Sequence, residues 1–207
     1  LRETNVTRVA TLFAIVVLLG MVFVACGTTR AGTDLVPVLA TGEWMALTDG
    51  EDGGSSSNEM AKIEICGAPA WHFAGEVTTL FERGFAVMRF EPDEVTVANL
   101  GGTEAISFMV LGDGQRYAMR LHTDNVADRG YFEFAFATLA GEAARVAVPL
   151  RLFAQPPWAD SVGPLRRDLL TAISWQTHES WRPGTFEITL WDLRLYVSGK
   201  AVTDAAL

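Results

Sequence analysis

The stretch from Thr103 to Thr123, TEAISFMVLGDGQRYAMRLHT, constrains the fold more than any other part of the chain. Ile106, Phe108 and Val110 alternate with Ser107, Met109 and Leu111. After Gly112-Asp113-Gly114, Tyr117, Met119 and Leu121 alternate with Ala118, Arg120 and His122. A period of two is that of a β-strand, whose successive side chains leave opposite faces. Gly accepts positive φ and Asp-Gly suits primed turns, so the segment reads as two strands joined in a tight hairpin. One row of the return strand is apolar. The other sets a guanidinium and an imidazole, Arg120 and His122, side by side. A slip of one residue would exchange these rows, so the turn has to hold the register.

The rest of the chain repeats the pattern. Leu35–Leu39 is short and apolar, with Pro37 marking an edge or a strand end. Further strands are expected at 43–48, 62–66, 84–90, 131–138, 145–150, 171–176 and 185–198, and a shorter one at 95–100. The segment from Ser161 to Leu170 reads as a turn or two of helix capped by Ser161. About ten short strands with Gly, Pro and Asp signals between them predict an all-β sandwich or barrel. No repeat or interior linker divides it, so one domain is expected from 34 to 199, with a tail at 200–207.

The N-terminus reads as an address. Arg2 and Arg8 precede Val9–Ala25, a stretch without charge, and then Cys26. A basic start, an apolar core and a small residue at the exit describe a secretory signal peptide. Phe23-Val24-Ala25-Cys26 resembles the lipobox of bacterial lipoproteins, which are cut before a Cys that then carries diacylglycerol. The reading is therefore a signal peptide over 1–25, a lipid-bearing Cys26, a tether over 26–33, and attachment to a bacterial cell envelope with the domain outside the cytoplasm. The competing reading is an uncleaved anchor, for which the stretch is at the lower length limit.

Charge and cysteine content narrow the partners. Net charge is −9, which argues against nucleic acid because phosphates are repelled. The second cysteine, Cys66, lies in an alternating run, KIEIC, and is expected as a small buried hydrophobe. The loop from Asp49 to Met60 carries carboxylates at 49, 51 and 52, but Gly53 at the fifth position and the lack of a closing Glu fail the EF-hand spacing. The three histidines, 72, 122 and 178, form no HExxH, and neither a G-x-S-x-G elbow nor a P-loop occurs. A non-catalytic role follows as the expectation.

Several blocks together resemble one family. Trp44, Asp49-Gly50 and Gly53-Gly54-Ser55-Ser56 form its opening, Phe73-Ala74-Gly75-Glu76-Val77 and Gly84-Phe85-Ala86 its next block. Gly112-Asp113-Gly114-Gln115-Arg116-Tyr117 is its GDG-x-x-Y turn, and Ile173-Ser174-Trp175, Phe186-Glu187-Ile188 and Trp191-Asp192-Leu193 are its closing strands. The chain thus resembles the complex I intermediate-associated protein family, itself similar to family 11 carbohydrate-binding modules. The sequence departs from the family at Glu51-Asp52, where apolar residues are usual. The resemblance implies a galactose-binding-like jelly-roll sandwich with one concave sheet. Family members include a mitochondrial assembly chaperone for NADH dehydrogenase, so the resemblance implies either a carbohydrate ligand or a protein partner in assembly.

A sugar site on such a sheet needs aromatic surface and a few groups that grip hydroxyls. The candidates are Arg120, His122, Glu133, Trp175, Gln176 and His178. Arg120 and Glu133 are also placed to pair with each other across neighbouring strands. Trp44 and Trp191 fall in strand patterns and read as core, Trp158 and Trp181 as loop residues. By analogy with similar sandwiches, Asp49 and Asp192 are the candidate ligands of a structural Ca²⁺.

Overall fold

The structure is a computed structural model describing residues 35–78, 84–126, 130–159, 162–177 and 183–198. The signal-peptide stretch, Cys26, the tether, Ser161, His178, Trp181 and the tail at 200–207 lie outside the described residues. Eleven strands are present among the described residues: β1 (Leu35–Leu39), β2 (Gly42–Thr48), β3 (Ser57–Ile65), β4 (Ala68–Val77), β5 (Ala86–Pro92), β6 (Thr103–Gly112), β7 (Arg116–Thr123), β8 (Phe132–Ala137), β9 (Ala143–Pro149), β10 (Leu170–Thr177) and β11 (Gly184–Ser198). They form two antiparallel sheets. One runs β3-β4-β11-β6-β9, with β1 also paired to β11; the other runs β2-β5-β10-β7-β8. This is the jelly-roll sandwich that the resemblance implies.

The sheets close on a shared apolar core. Ile106, Phe108 and Val110 of β6 and Tyr117, Met119 and Leu121 of β7 are all buried, as their alternation requires. These two strands are not a hairpin, however. β6 lies in the six-stranded sheet and β7 in the five-stranded one. Gly112-Asp113-Gly114 is therefore a corner between layers, with Gly114 at φ 90°. The two apolar rows face each other across the core instead of lying side by side on one face. Asp113 pins this corner. Its carboxylate accepts from the Gln115 amide (2.9 Å), the Tyr117 hydroxyl (3.0 Å) and the Glu187 amide (3.0 Å), tying both sheets to one side chain. Burial, then the Asp113 charge beside it, raises the Tyr117 pKa and keeps the phenol neutral.

Three further expectations are corrected. The segment expected as a short strand at 95–100 is a helix, α1 (Glu94–Leu100). Asp93 accepts from the Thr96 amide at 2.8 Å, and this N-cap, right after Pro92, outweighs the β-preference of Val95 and Val97. Helix in 161–170 shrinks to a single 3₁₀ turn, Arg167–Leu169. Cys66 is exposed, at φ 51°, with Gly67 at φ 78°; the pair forms the two-residue turn between β3 and β4. The reason is position. β3 is the edge of its sheet, and residues 61–64 face solvent on both sides, so alternation there has no core to point into.

Candidate functional site

The outward face of the five-stranded sheet collects the polar residues. Ladder registry sets Arg89 of β5 opposite Ser174 of β10, Ser174 opposite Arg120 of β7, and Arg120 opposite Glu133 of β8. Their neighbours along each strand, such as Met88, Ile173, Met119 and Phe132, are buried in the core. Side chains at 89, 174, 120 and 133 therefore share the opposite face. The row crosses three strand spacings, roughly 14 Å.

The row is tightly bonded. Arg120 Nε donates to Glu133 Oε2 at 2.8 Å, and its Nη1 donates to Gln176 Oε1. The guanidinium carbon lies over the Tyr131 ring, 3.9 Å from its centroid, an arrangement favoured by the negative face of the ring. His122 Nε2 is 2.9 Å from the Ser174 hydroxyl. Arg89 Nε lies 3.2 Å from Glu91 without hydrogen-bond alignment. Ser174 and Gln176 are only 1% and 5% exposed although they point away from the core. Side chains of neighbouring strands thus cover the centre of the face. At its β8 border Tyr131 meets Trp158 edge-on (5.6 Å), and Trp158 is 50% exposed.

Electrostatics follow from this crowding. Burial, with the positive charges of Arg89 and Arg120, lowers the His122 pKa from its usual 6.5 to about 4. At neutral pH the ring is uncharged, so it can both donate and accept. The face therefore offers two cations, a carboxylate, an amide, a hydroxyl and a neutral imidazole. That mixture suits a polyhydroxylated ligand, whose groups are themselves donors and acceptors.

The structure brings together four of the six residues singled out from sequence: Arg120, His122, Glu133 and Gln176. It removes Trp175, which faces the core and is 1% exposed, because period two puts it on the side of the sheet opposite Gln176. His178 lies outside the described residues. Arg89, Tyr131 and Ser174 were missed. Arg89 and Ser174 do sit in alternating runs, but only the ladder order of β5, β10 and β7 shows that they align with Arg120.

The calcium reading is also corrected. Asp49 is fully buried, and its carboxylate accepts from the amide and the hydroxyl of Ser56, both at 3.0 Å. Gly54 packs against that carboxylate so closely that a Cβ there would stand 2.2 Å from Asp49 Cγ, which explains the Gly at that place in the loop. Asp192 accepts from Arg145 and from Arg194, the latter at 2.7 Å. Two guanidiniums occupy the oxygens a cation would need. Among the described residues no group of three or more His, Cys, Asp or Glu converges.

The profile of the family described as complex I intermediate-associated protein 30 (CIA30) matches residues 37–205. The chain belongs to the CIA30 family. No curated protein matches the chain as a sequence relative. Among solved structures, the CIA30 fold is similar to a family 11 carbohydrate-binding module from Clostridium thermocellum in complex with a β-1,3-1,4-mixed-linked tetrasaccharide. The TM-score is 0.59 at 12% identity, covering 81% of this chain and 98% of that one. It is also similar to the family 11 module of the cellulosomal cellulase Lic26A-Cel5E of Clostridium thermocellum, with TM-score 0.58 at 13% identity over 81% and 97% of the two chains. At such identities the likeness establishes the fold, and the CIA30 side chains have to carry the function.

Proposed function

We propose that this CIA30 domain binds an oligosaccharide along the outer face of the five-stranded sheet, without catalysis. The observation that carries the reading is the aligned row Arg89–Ser174–Arg120–Glu133, bordered by Tyr131 and the half-exposed Trp158. A row that crosses four strands fits an elongated ligand better than a single ring. Aromatic surface at the border supplies the flat apolar contact that sugar rings use, and the row supplies the hydroxyl partners. The family 11 module that shares this fold is described with a mixed-linked tetrasaccharide, which supports the ligand class.

The test is a glycan array probed with the full chain. An oligosaccharide hit is expected, and Arg120→Ala should weaken it by about tenfold or more, the order expected from losing a charge-assisted hydrogen bond. A folded protein that binds no glycan would overturn the reading and transfer it to a protein partner, as the family's name suggests. A hit unaffected by Arg120→Ala would move the site off this face.

The domain is held at a bacterial cell envelope through lipid on Cys26. Support comes from the basic start, the uncharged stretch Val9–Ala25 and the small residues at its exit. Cys26→Ser is expected to block lipid attachment and processing, so the variant keeps the apolar stretch and loses metabolic palmitate labelling. Wild-type protein of unprocessed mass, unlabelled and still in the membrane fraction, would establish the uncleaved anchor instead.

A further inference from the structure

β11 of the six-stranded sheet changes its edge partner part-way along its length. β11 pairs with β4 as far as Trp191, opposite Ala70, and with β1 from Arg194, opposite Leu39. Between them Asp192 and Leu193 form an irregularity, with Asp192 at φ 52°. β4 has already turned back at Cys66-Gly67, and β1 passes into β2 through Ala40 and Thr41. Across this interval Ala40 holds the edge, donating its amide to the Leu193 carbonyl at 3.0 Å. Beside this change of partner lies a cleft of about 580 Å³ bounded by Leu39, Gly42, Cys66 and Pro69. It belongs to no residue of the outer-face row described above.

The lining is aromatic. Trp44 is stacked against Trp71 (centroids 5.7 Å, planes 28° apart) and against Trp175 (5.2 Å, 20°). All three indoles line the cleft, with Phe108 and Leu190. Trp175 Nε1 is a buried donor that has no hydrogen-bond partner among the described residues. Lys62 holds its ammonium 5.8 Å from the Trp71 ring centroid. The remaining charged lining residues are Asp192 and Arg194, and Asp192 is already neutralised by Arg194 and Arg145. Among the lining residues Lys62 and Arg194 outnumber Asp192, a local excess of one positive charge in a chain that is acidic as a whole.

The geometry points to a second binding site, in this cleft, for a small planar aromatic anion such as an aromatic carboxylate. The volume lies in the range of small-molecule pockets. Stacked indoles favour a flat π-system over a branched aliphatic one. Lys62 supplies the counter-charge, and an acceptor on the ligand would complete the indole N–H. A sugar fits poorly here, since the walls have too few polar groups to replace the water on its hydroxyls.

Cys66 provides a native reporter, because its thiol is exposed at the rim. The full chain would be titrated with 2-naphthoate by calorimetry, while N-ethylmaleimide alkylation of the Cys66 peptide is followed by mass spectrometry. Saturable binding at one site is expected, with Cys66 alkylation slowed several-fold at saturation. Cyclohexanecarboxylate, equal in charge but not planar, should bind more weakly. Lys62→Glu should weaken 2-naphthoate by on the order of tenfold through reversal of one nearby charge. Lys62 is exposed, so this variant should keep the wild-type thermal midpoint. The proposal is overturned by absence of saturable heat and of Cys66 protection, by equal binding of the two acids, or by an affinity that Lys62→Glu leaves unchanged. None of these outcomes bears on glycan binding, which uses other residues.

Discussion

Trp175→Ala is expected to lower the free energy of unfolding by about 3–5 kcal/mol, the range for removing a large buried aromatic side chain. Trp175 is the largest fully buried side chain among the described residues. Its ring stacks on Trp44 at 5.2 Å and meets Phe108 edge-on at 5.4 Å, so it links β2 and β10 of one sheet to β6 of the other. Deleting it opens a cavity between two sheets that cannot approach each other freely, because their separation is set by every other core pair. Trp175→Phe should cost far less, within about 1.5 kcal/mol, since an aromatic ring remains and a buried N–H without a partner is removed. Urea unfolding of the three proteins checks the order. A Trp175→Ala protein as stable as wild type would place the side chain outside the core.

The second large effect is a dependence of stability on pH. His122 is held to a pKa of about 4, first by burial and then by the charges of Arg89 and Arg120, whereas the unfolded chain has the usual 6.5. Between those values the unfolded state binds the extra proton, so stability rises with pH there and falls on acidification. The contribution is complete above about pH 6.5 and is lost as pH drops toward the folded value. From pH 7.5 to 4.5 the loss should be roughly 2–3 kcal/mol, at about 1.36 kcal/mol per pKa unit. His122→Gln, which keeps a hydrogen-bonding group near Ser174 and cannot titrate, should show that much less pH dependence. Guanidinium unfolding of both proteins at the two pH values measures the difference. Identical pH dependence would mean that the imidazole is solvated when folded.

The two arginines that depress His122 act with Gln176 and Glu133 to form the outer face, so the same crowding explains both its electrostatics and its fit to a polyhydroxylated ligand. Arg120 serves three neighbours at once: Glu133, Gln176 and the Tyr131 ring. Some of these bonds have to be exchanged for bonds to the ligand when one binds. This predicts specificity more than strength, because each bond gained replaces one lost.

Alternation of side chains in single strands was enough to assign the buried rows at 106–110 and 117–121. It also placed Arg120 and His122 together on the outer face, since that inference needs only the period of two within one strand. The GDG stretch and the spaced blocks around it were enough to place the chain among jelly rolls. Alternation could not say which strands pair. The Gly112–Gly114 turn fits a hairpin locally, and only the closing of the two sheets over one core made it a corner between layers. The face taken by Trp175, the exposure of Cys66 on an edge strand, and the engagement of Asp192 by two arginines were settled the same way. So were the alignment of Arg89 and Ser174 with Arg120 and the cleft beside the place where β11 exchanges β4 for β1. Each depends on contacts between segments far apart in the chain, and a local pattern records which side of a strand is apolar but not what lies beside it.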